Sequence, residues 1–558
     1  MRDPSFPQKS ESTGNPAPRA PKKKFNLLCL VAAVLTLALV ITVRIRLAST
    51  PLERDEGEYA YIGQLILQGI PPYREAANMK FPGTYVGYAV IEAVFGQTTS
   101  GIHYGLLVLN IATAYLIYLF GKRIFSDETI AIAAAIIYAT SSLSFSFLGP
   151  MAHATHFVVF WGILGLVVLG SALKRKSTPL LIVAGVFSGF AYLSKQSGFY
   201  FFLFGIVYAL LEHCAWRSPR KFLRTALYFT IGAFAPFALT VVVLRSLGCL
   251  DTFVFWTFQY ASHYSSTISQ AGSTIGRNIR SLYLDGYGWI FVAPALLLFL
   301  FPRAKQLAQS YRLPLIGSFL AFSLAGVCLG LICRAHYWIQ LLPATALAAA
   351  AFFHKLSALV CNRFQTHIHQ RATLLICICF CAIMVSGEAK QFFKMSSEEI
   401  IQEIYHGNPF NETVKVADYI ERHSQKNDKI FVFGSDPEIY FYSKRRSVTN
   451  FIYLYPLLEN QPYATLMQRT LILDLEANNP RYFVEVHLNE LQPDAEQLHP
   501  LYLWKSHFLS TYYRPVFMVD RYSGNNYMIR YDAVLKYKSR EGNYIALWEL
   551  KAANKSAN

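Results

Sequence analysis

The chain has 558 residues, of which 53% are hydrophobic and only 15% are charged, and this composition excludes an ordinary soluble globular protein. The formal net charge of +17 would suit a nucleic-acid binder, but the basic residues fall mainly in short links between apolar runs rather than along one face. Apolar runs of about 17 to 22 residues recur from Phe25 to about Ser386, each long enough to cross a bilayer core. The composition therefore predicts a polytopic membrane protein that contacts membrane lipid and has no nucleic-acid partner.

The N-terminal residues predict the orientation of the chain. Residues 1–24, rich in Pro, Ser and charge, are expected to form a disordered tail. Lys22, Lys23 and Lys24 precede the first apolar run, 25–43, so the positive-inside rule predicts a cytoplasmic N-terminus. Because that run is long and no small-residue cleavage site clearly follows it, we expect a retained membrane anchor.

Ten further apolar runs follow, and the charges in the links between them agree with alternating inside and outside ends. Residues 48–100 are too polar and too rich in Pro and Gly to cross, which predicts a long outer loop in which 83–96 lie along the interface. A second outer loop is expected at 245–285, where aromatic and hydroxyl residues are frequent. The predicted spans after the first lie at about 102–120, 129–148, just before Lys174, 178–193, 198–211, 226–244, 287–302, 313–332, just before Lys355, and 372–387.

An odd number of spans places residues 388–558 on the outer side, where polar composition and mixed periodicity predict a folded α/β domain. The segment VADYIERH followed by KIFVFG is typical of a helix and then a strand, and RYFVEV, PVFMVD and YIALWEL are predicted to be further strands. The predicted fold class is an α-helical polytopic membrane protein, with about 11 transmembrane helices in 25–387 and a C-terminal soluble α/β domain.

The densest group of acids follows the first apolar run, in PLERDEGEYAY. Asp55, Glu56 and Glu58 place three carboxyl groups within four positions at the expected membrane surface. Burial disfavours the charged form of a carboxylate, so such a group persists only with partners or with a task such as proton abstraction. The alternative is an ordinary helix start, because the helix dipole favours acids in the first turn.

Polar and cationic residues recur at the predicted outer ends of the spans. Lys80, in NMKFPGTY, stands where an ammonium group meets phosphates at headgroup depth or simply snorkels to the interface. Lys195, in LSKQSG, interrupts a tight pair of spans and needs an anionic partner. Arg334, His336 and Tyr337, in CRAHYWIQLLPA, lie between the ninth and tenth spans on the same side. Convergence of these groups on one membrane face favours a functional site there.

Two histidines stand at the outer end of the fourth span. His153 and His156 are three positions apart, and together with Asp55 they suggest a metal site, but two histidines do not complete one. We therefore predict no metal, and expect the two histidines and Glu58 to make hydrogen bonds or acceptor contacts in a cavity.

The segments DEGEYAY, KFPGTY, AYLSKQSG and HYWIQLLPA, in this order over nearly the whole chain, resemble bacterial members of the C-type glycosyltransferase superfamily. The likeness is greatest to the branch of protein O-mannosyltransferases and lipid A aminoarabinose transferases. It implies a polyprenyl-phosphate sugar donor, bound between membrane and outer loops, and inversion at the sugar carbon. It also implies a bacterial inner membrane, a periplasmic C-terminal domain and an acceptor that is a lipid, a glycan or a protein.

The resemblance also implies roles for single residues. Asp55 corresponds to the catalytic acid of the family's first loop, and Glu56 is its usual neighbour, which positions the helix. Lys80 matches a lysine near the donor phosphate, although here one residue separates it from the following proline. Tyr337 falls where the family carries a tyrosine near that phosphate. Three more residues, Lys195, Arg334 and His336, are expected near the phosphate only because they are polar or basic and lie on the same side of the membrane. Relatives on this branch are generally regarded as metal-independent, so we expect no cofactor.

Two other classes of protein stay open at this stage. A transporter would show polar groups near the bilayer midplane and a repeated half, and the sequence shows neither. A structural or sensory membrane protein would bind a partner through its C-terminal domain and use DEGEY only as a helix start. The sugar and the acceptor depend on the shape of a cavity, which the sequence does not define.

Overall fold

The computed structural model describes residues 27–213, 218–264, 276, 278–280, 288–300, 312–361, 366–488, 500–522, 525–530 and 543–551. The predicted tail at 1–24 and most of the predicted second loop after residue 264 lie outside the described residues.

Each predicted span coincides with a helix in the described part of the chain. Six helical segments are long and apolar enough to cross a membrane: Leu27–Arg46, Thr99–Phe125, Ala154–Arg175, Pro219–Ser246, Ala335–Val360 and Ile368–Gly387. The other predicted spans are the shorter helices Glu128–Ser141, Thr178–Ser194, Phe199–His213, Gly288–Leu300 and Arg312–Val327. The prediction of a polytopic helical protein is confirmed.

Two predicted span ends are wrong. The third predicted span is helical only to Ser141 rather than to about 148. Ser141, Ser142 and Ser144 lie at this end, and serine favours helix ends and turns because its hydroxyl hydrogen-bonds the nearby backbone. The ninth predicted span, at about 313–332, is the helix Arg312–Val327. It ends before a turn in which Gly330 has a φ of 80°.

The predicted first loop contains two helices. Arg54–Leu67, here called the first-loop helix, is capped by Glu53, whose side chain accepts a hydrogen bond from the backbone N–H of Glu56. Pro82–Phe95 begins with proline in its first turn and coincides with the predicted interfacial segment. Most of the first-loop helix is buried, so the acids are more than a solvated helix start.

Short helical pieces connect the longer elements. They are Phe145–Phe147, Gln196–Gly198 and Ala335–Leu341 as 3₁₀ turns, Phe255–Tyr260 as a π turn, and Leu250–Val254, Ala261–Tyr264, Ala389–Phe393, Ser397–Ile404 and Tyr455–Leu458 as α turns. The tenth span begins as the 3₁₀ turn and continues as the α-helix Leu342–Val360.

The C-terminal domain, defined as residues 388–558, contains a six-stranded sheet of order β2-β1-β3-β6-β4-β5. Its strands are β1 Lys429–Phe433, β2 Arg446–Ser447, β3 Tyr482–His487, β4 Tyr513–Tyr522, β5 Asn525–Arg530 and β6 Asn543–Leu550. The first three pair in parallel and the rest are antiparallel. Its main helices are Phe410–Arg422, Glu438–Ser443, Ala464–Asn478 and Pro500–Tyr512. The predicted helix and strands are confirmed.

The C-terminal domain and the first loop share one hydrophobic core. The ring of Tyr61, on the first-loop helix, stacks on Tyr440 at 4.9 Å between centroids. The same core continues to Phe157 in a membrane helix and to Val484 in β3. Burial of apolar area therefore joins the membrane helices, the first loop and the sheet, and a site at their junction is held from three sides.

Candidate active site

A cavity of about 680 Å³ lies where the first-loop helix, the membrane helices and the C-terminal domain meet. Six of the predicted site residues line it: Asp55, Lys80, Lys195, Arg334, His336 and Tyr337. The C-terminal domain adds Tyr453, Tyr455 and Glu459 to its wall. Groups separated by as many as 404 positions, from Asp55 to Glu459, therefore face one space.

Asp55 stands in the first turn of the first-loop helix, where the helix N-terminus favours a negative charge. Its Oδ1 is 2.7 Å from Nζ of Lys80, and its Oδ2 is 4.0 Å from Nε2 of His336. Burial raises the pKa of Asp55, but electrostatic attraction, first of all to the ammonium of Lys80, outweighs burial and holds that pKa well below its ordinary value. Asp55 is therefore ionised throughout the physiological pH range.

Glu58 lies beneath the cavity floor, and its side chain is 0% exposed. Its Oε1 accepts a hydrogen bond from the hydroxyl of Tyr85 at 2.6 Å. Its Oε2 accepts from Lys80 at 2.7 Å, from Asn78 at 2.8 Å and from the hydroxyl of Tyr453 at 2.8 Å. Four donors from three parts of the chain therefore satisfy this buried carboxylate, as burial of a charge requires.

Lys80 is shared between two carboxylates, Asp55 and Glu58, and its ammonium also lies 4.6 Å from the ring centroid of Tyr59. Burial lowers the pKa of Lys80, but the two acids outweigh it and raise that pKa well above its ordinary value. This lysine therefore stays cationic and contacts two carboxylates of the protein. Its contact with a donor phosphate stays a prediction.

Glu56 points away from the cavity and is fully buried. Its carboxylate accepts a hydrogen bond from the backbone N–H of Ala152 at 2.5 Å and lies 3.1 Å from Nε2 of His103. Burial raises the pKa of Glu56, and His103 with the hydrogen bonds lowers it to below its ordinary value. These contacts fasten the start of the first-loop helix to the turn before the fourth span, and they support the predicted positioning role.

His153 stacks face to face on His336, with ring centroids 4.0 Å apart and planes 12° apart. Asp55, His153 and His336 each bring one possible ligand atom within 4.8 Å of the others, as in a candidate metal site. Because the two rings are nearly parallel, their in-plane lone pairs lie in nearly parallel planes, which does not favour convergence on one tetrahedral ion. Burial lowers the pKa of His153 to about 4, so its ring is neutral at pH 7 and suited to hydrogen bonding.

His153 and His156 stand differently relative to the helix Ala154–Arg175. His153 caps the helix from outside it, with φ −60° and ψ 149°, so the i,i+3 spacing does not place the two rings on one helix face. His156 lies inside the helix, is 1% exposed and does not line the cavity. The ring that contacts His153 is that of His336, in the distant 3₁₀ turn Ala335–Leu341.

Lys195 follows the helix Thr178–Ser194 in extended conformation, and its ammonium lies 3.3 Å from the ring centroid of Tyr337. Within the described part of the chain, no carboxylate lies within 4.0 Å of it. Burial lowers the pKa of Lys195 to about 7, with Asp55 raising it and Lys80 and Arg334 lowering it. Among the residues that the structure describes, Lys195 has no carboxylate at ion-pair distance, so it is available to an anionic group of a ligand.

Sequence reasoning missed three residues that hold the site. Asn78 and Tyr85 flank Lys80 in the chain, and their neighbourhood in NMKFPGTY was a usable signal. Tyr453 is 395 positions from Glu58, in an aromatic segment like many others, and no local pattern distinguishes it.

A family model described as dolichyl-phosphate-mannose-protein mannosyltransferase matches residues 82–243 of this chain. The undecaprenyl phosphate-alpha-4-amino-4-deoxy-L-arabinose arabinosyl transferase of Pseudomonas aeruginosa (strain UCBPP-PA14) is 30% identical over 200 residues, which are 34% of this chain and 36% of that protein. A second relative with this name, arabinosyl transferase 2 of Proteus mirabilis (strain HI4320), is 22% identical over 312 residues, which are 53% of this chain and 55% of that protein. These matches therefore span between about a third and about half of the curated relatives' length.

The fold is similar to that of ArnT from Cupriavidus metallidurans. The apo crystal structure has a TM-score of 0.54 and covers 90% of this chain and 98% of that chain. The crystal structure bound to undecaprenyl phosphate has a TM-score of 0.53 and covers 91% of this chain and 98% of that chain. At 14% identity this likeness concerns the fold alone. Together the matches confirm the resemblance to C-type glycosyltransferases of the mannosyltransferase and aminoarabinose transferase branch.

Lys80→Ala is expected to lower the free energy of unfolding by about 3 kcal/mol, because it leaves buried Glu58 without its cation. Lys122→Ala is the matched control, since it breaks an ion pair with Glu128 in which both side chains are at least 35% exposed and little change is expected. Thermal unfolding of both variants in detergent measures the difference. Equal melting temperatures would show that Glu58 does not depend on Lys80.

Proposed function

We propose that this chain is a membrane glycosyltransferase, which moves a sugar from a polyprenyl-phosphate-linked donor to an acceptor on the extracytoplasmic face. The observation that carries the proposal is one cavity that holds both an ionised carboxylate, Asp55, and a lysine, Lys195, that no carboxylate of the described residues approaches to ion-pair distance. The sequence match to a mannosyltransferase model and to undecaprenyl-phosphate-dependent transferases supports the same chemistry.

The donor phosphate is assigned to the cationic wall of the cavity. Lys195 supplies the charge, and Arg334 and Tyr337 lie on the same wall. A polyprenyl-phosphate sugar is a phosphodiester with a single negative charge, so one such cation is enough to neutralise it. As the sugar leaves, charge develops on the phosphate, and a cation fixed in advance stabilises that charge without reorganisation.

Asp55 is assigned to the acceptor. The acceptor hydroxyl oxygen attacks the sugar carbon, the bond from that carbon to the phosphate oxygen breaks, and polyprenyl phosphate leaves with the electron pair. The hydroxyl proton passes to Asp55. Because its pKa is depressed, Asp55 is a weak base, so it orients the hydroxyl by hydrogen bonding and accepts the proton only as the new bond forms. Attack opposite to the phosphate gives inversion at the sugar carbon.

The proposed setting is a bacterial inner membrane. The N-terminus is cytoplasmic, and the C-terminal domain stands in the periplasm beside the cavity. The acceptor is a lipid, a glycan or a protein that reaches the cavity from that side. The relatives' names favour an undecaprenyl-phosphate donor.

Asp55→Asn should lower transfer by at least about 100-fold, because it removes the proton acceptor but keeps the shape of the side chain. The assay follows release of polyprenyl phosphate from a radiolabelled pool of host lipid-linked sugars, with purified protein in lipid. The labelled product identifies the acceptor. Release by the wild type alone supports the proposal, and a fully active Asp55→Asn variant would remove Asp55 as the base.

The donor KM should rise as pH rises above 7, because Lys195 has a pKa of about 7 in the free protein and loses its charge there. The phosphodiester does not titrate between pH 6 and about 9. Lys195→Met should have a KM about tenfold higher at pH 6 and little pH dependence. Lys195→Arg is the matched control, since a guanidinium stays charged and should keep the KM low at high pH. A wild-type KM that is flat with pH would remove Lys195 from the phosphate site.

Removal of divalent metal should leave turnover unchanged, because the cations of the cavity supply the charge that a metal would supply. The measurement compares initial rates before and after treatment with a chelator. A loss of rate that added zinc or magnesium restores, and that His153→Ala also produces, would show that Asp55, His153 and His336 hold a metal ion.

A further inference from the structure

The C-terminal domain holds the first-loop helix at the end of its parallel strands. β1 ends at Phe433, and the carboxyl ends of parallel strands are where α/β sheets usually bind ligands. Here Arg54 occupies that place, and its Nε donates a hydrogen bond to the carbonyl of Ser435. The guanidinium also lies 3.6 Å from Oδ1 of Asp436 and donates to Asn408 at 3.0 Å. The end of the sheet that binds a ligand in many other α/β proteins therefore binds Arg54, the residue next to Asp55.

The contact between the first-loop helix and the C-terminal domain leaves no space. A Cβ added at Gly57 would lie 2.4 Å from Cβ of Glu438 and 2.7 Å from its backbone. One turn further along the helix, the hydroxyl of Tyr61 accepts a hydrogen bond from the backbone N–H of Ser447 at 2.8 Å. Position 57 must therefore be glycine if the helix is to approach the domain this closely.

Tyr453 extends the contact into the cavity. Its hydroxyl lies 2.8 Å from Oε2 of Glu58, the same oxygen that accepts from Lys80. The hydroxyl also lies 3.3 Å from the backbone carbonyl of Arg54. The hydrogen bond from Tyr453 withdraws negative charge from Glu58, so Glu58 attracts Lys80 less strongly. The strength of the contact between Lys80 and Asp55 therefore depends on Tyr453.

We propose that the C-terminal domain is an integral part of the catalytic centre, and that Arg54 and Tyr453 are the positioning residues through which it orients Asp55 and Lys80. The inference rests on the proposed transferase function. Arg54 fixes the start of the first-loop helix from Asp436, and Tyr453 sets the balance of Lys80 between two carboxylates. A domain that merely covered the cavity would need neither contact.

The first test is Tyr453→Phe, which removes one hydroxyl and keeps the ring. We expect kcat to fall at least tenfold, with the donor KM within about threefold of wild type, because Lys195 still binds the phosphate. Tyr513→Phe is the matched control: it also removes a buried hydroxyl in the C-terminal domain, which donates to the carbonyl of Pro480 at 2.8 Å, far along the chain from the first loop. A Tyr453→Phe variant with wild-type kcat would overturn the inference.

The second test does not depend on activity. Gly57→Ala should raise hydrogen exchange of the amides at 54–67 at least tenfold in the full-length protein, because the methyl group forces the helix away from Glu438. Gly317→Ala is the matched control, since a Cβ there meets the ring of Phe299 at an ordinary 3.4 Å. Unchanged exchange in Gly57→Ala would show that the domain does not hold the helix.

The two tests separate the inference from the proposed function. If wild-type protein releases no polyprenyl phosphate with any host donor, the transferase proposal fails, and the exchange measurement still decides whether the domain holds the helix. If wild type is active and both Tyr453→Phe and Gly57→Ala keep its kcat, the transferase proposal stands and the positioning role is overturned. Asp436→Asn, which removes the charge facing Arg54, provides an independent variant: it should lower kcat in parallel with faster exchange at 54–67.

Discussion

The structure around the cavity depends on the burial of one carboxylate, Glu58. A charge removed from water is tolerated only when other groups replace its hydration, and here four donors do so. The four donors are Asn78, Lys80, Tyr85 and Tyr453. Asn78 and Lys80 lie between the two helices of the first loop, Tyr85 lies in the second of these helices, and Tyr453 lies in the C-terminal domain. The requirement to satisfy Glu58 therefore brings these three parts together. Asp55 receives its strongest partner, Lys80, from the same arrangement.

Two lysines with the same predicted role differ in their surroundings. Lys80 lies between two carboxylates, which keep it charged and already occupied. Lys195 lies against an aromatic ring, without a carboxylate within ion-pair distance in the described residues, and burial lowers its pKa to about 7. Lys80 therefore holds Asp55, the carboxylate that we propose as the base, and Lys195 is available to an anionic ligand. The difference arises from neighbours and not from the lysines themselves.

Local patterns predicted the elements well and the contacts between them only in part. Apolar length identifies the spans because a bilayer core demands it, and β-rich segments such as KIFVFG identified strands. The third predicted span ends seven residues early, at a run of serines, a residue type that favours helix ends and whose effect hydropathy does not register. The three-residue spacing of His153 and His156 does not define their contacts, because helical spacing applies only inside a helix and His153 stands just before one. Asp55, Lys80 and Lys195 were found because charges beside apolar runs are costly and therefore conspicuous.

The sequence by itself determined that the chain spans a membrane, that an α/β domain follows, and that acids and cations stand at the predicted outer ends of the spans. Those properties depend on composition and short-range periodicity, which can be read within each segment without knowing its contacts with the others. The tertiary structure decided that His336 stacks on His153, that Tyr453 reaches Glu58, and that Arg54 fills the edge of the sheet. These contacts join residues up to 395 positions apart, and they form only when burial of a shared core and of paired charges selects one docking of the domain among many.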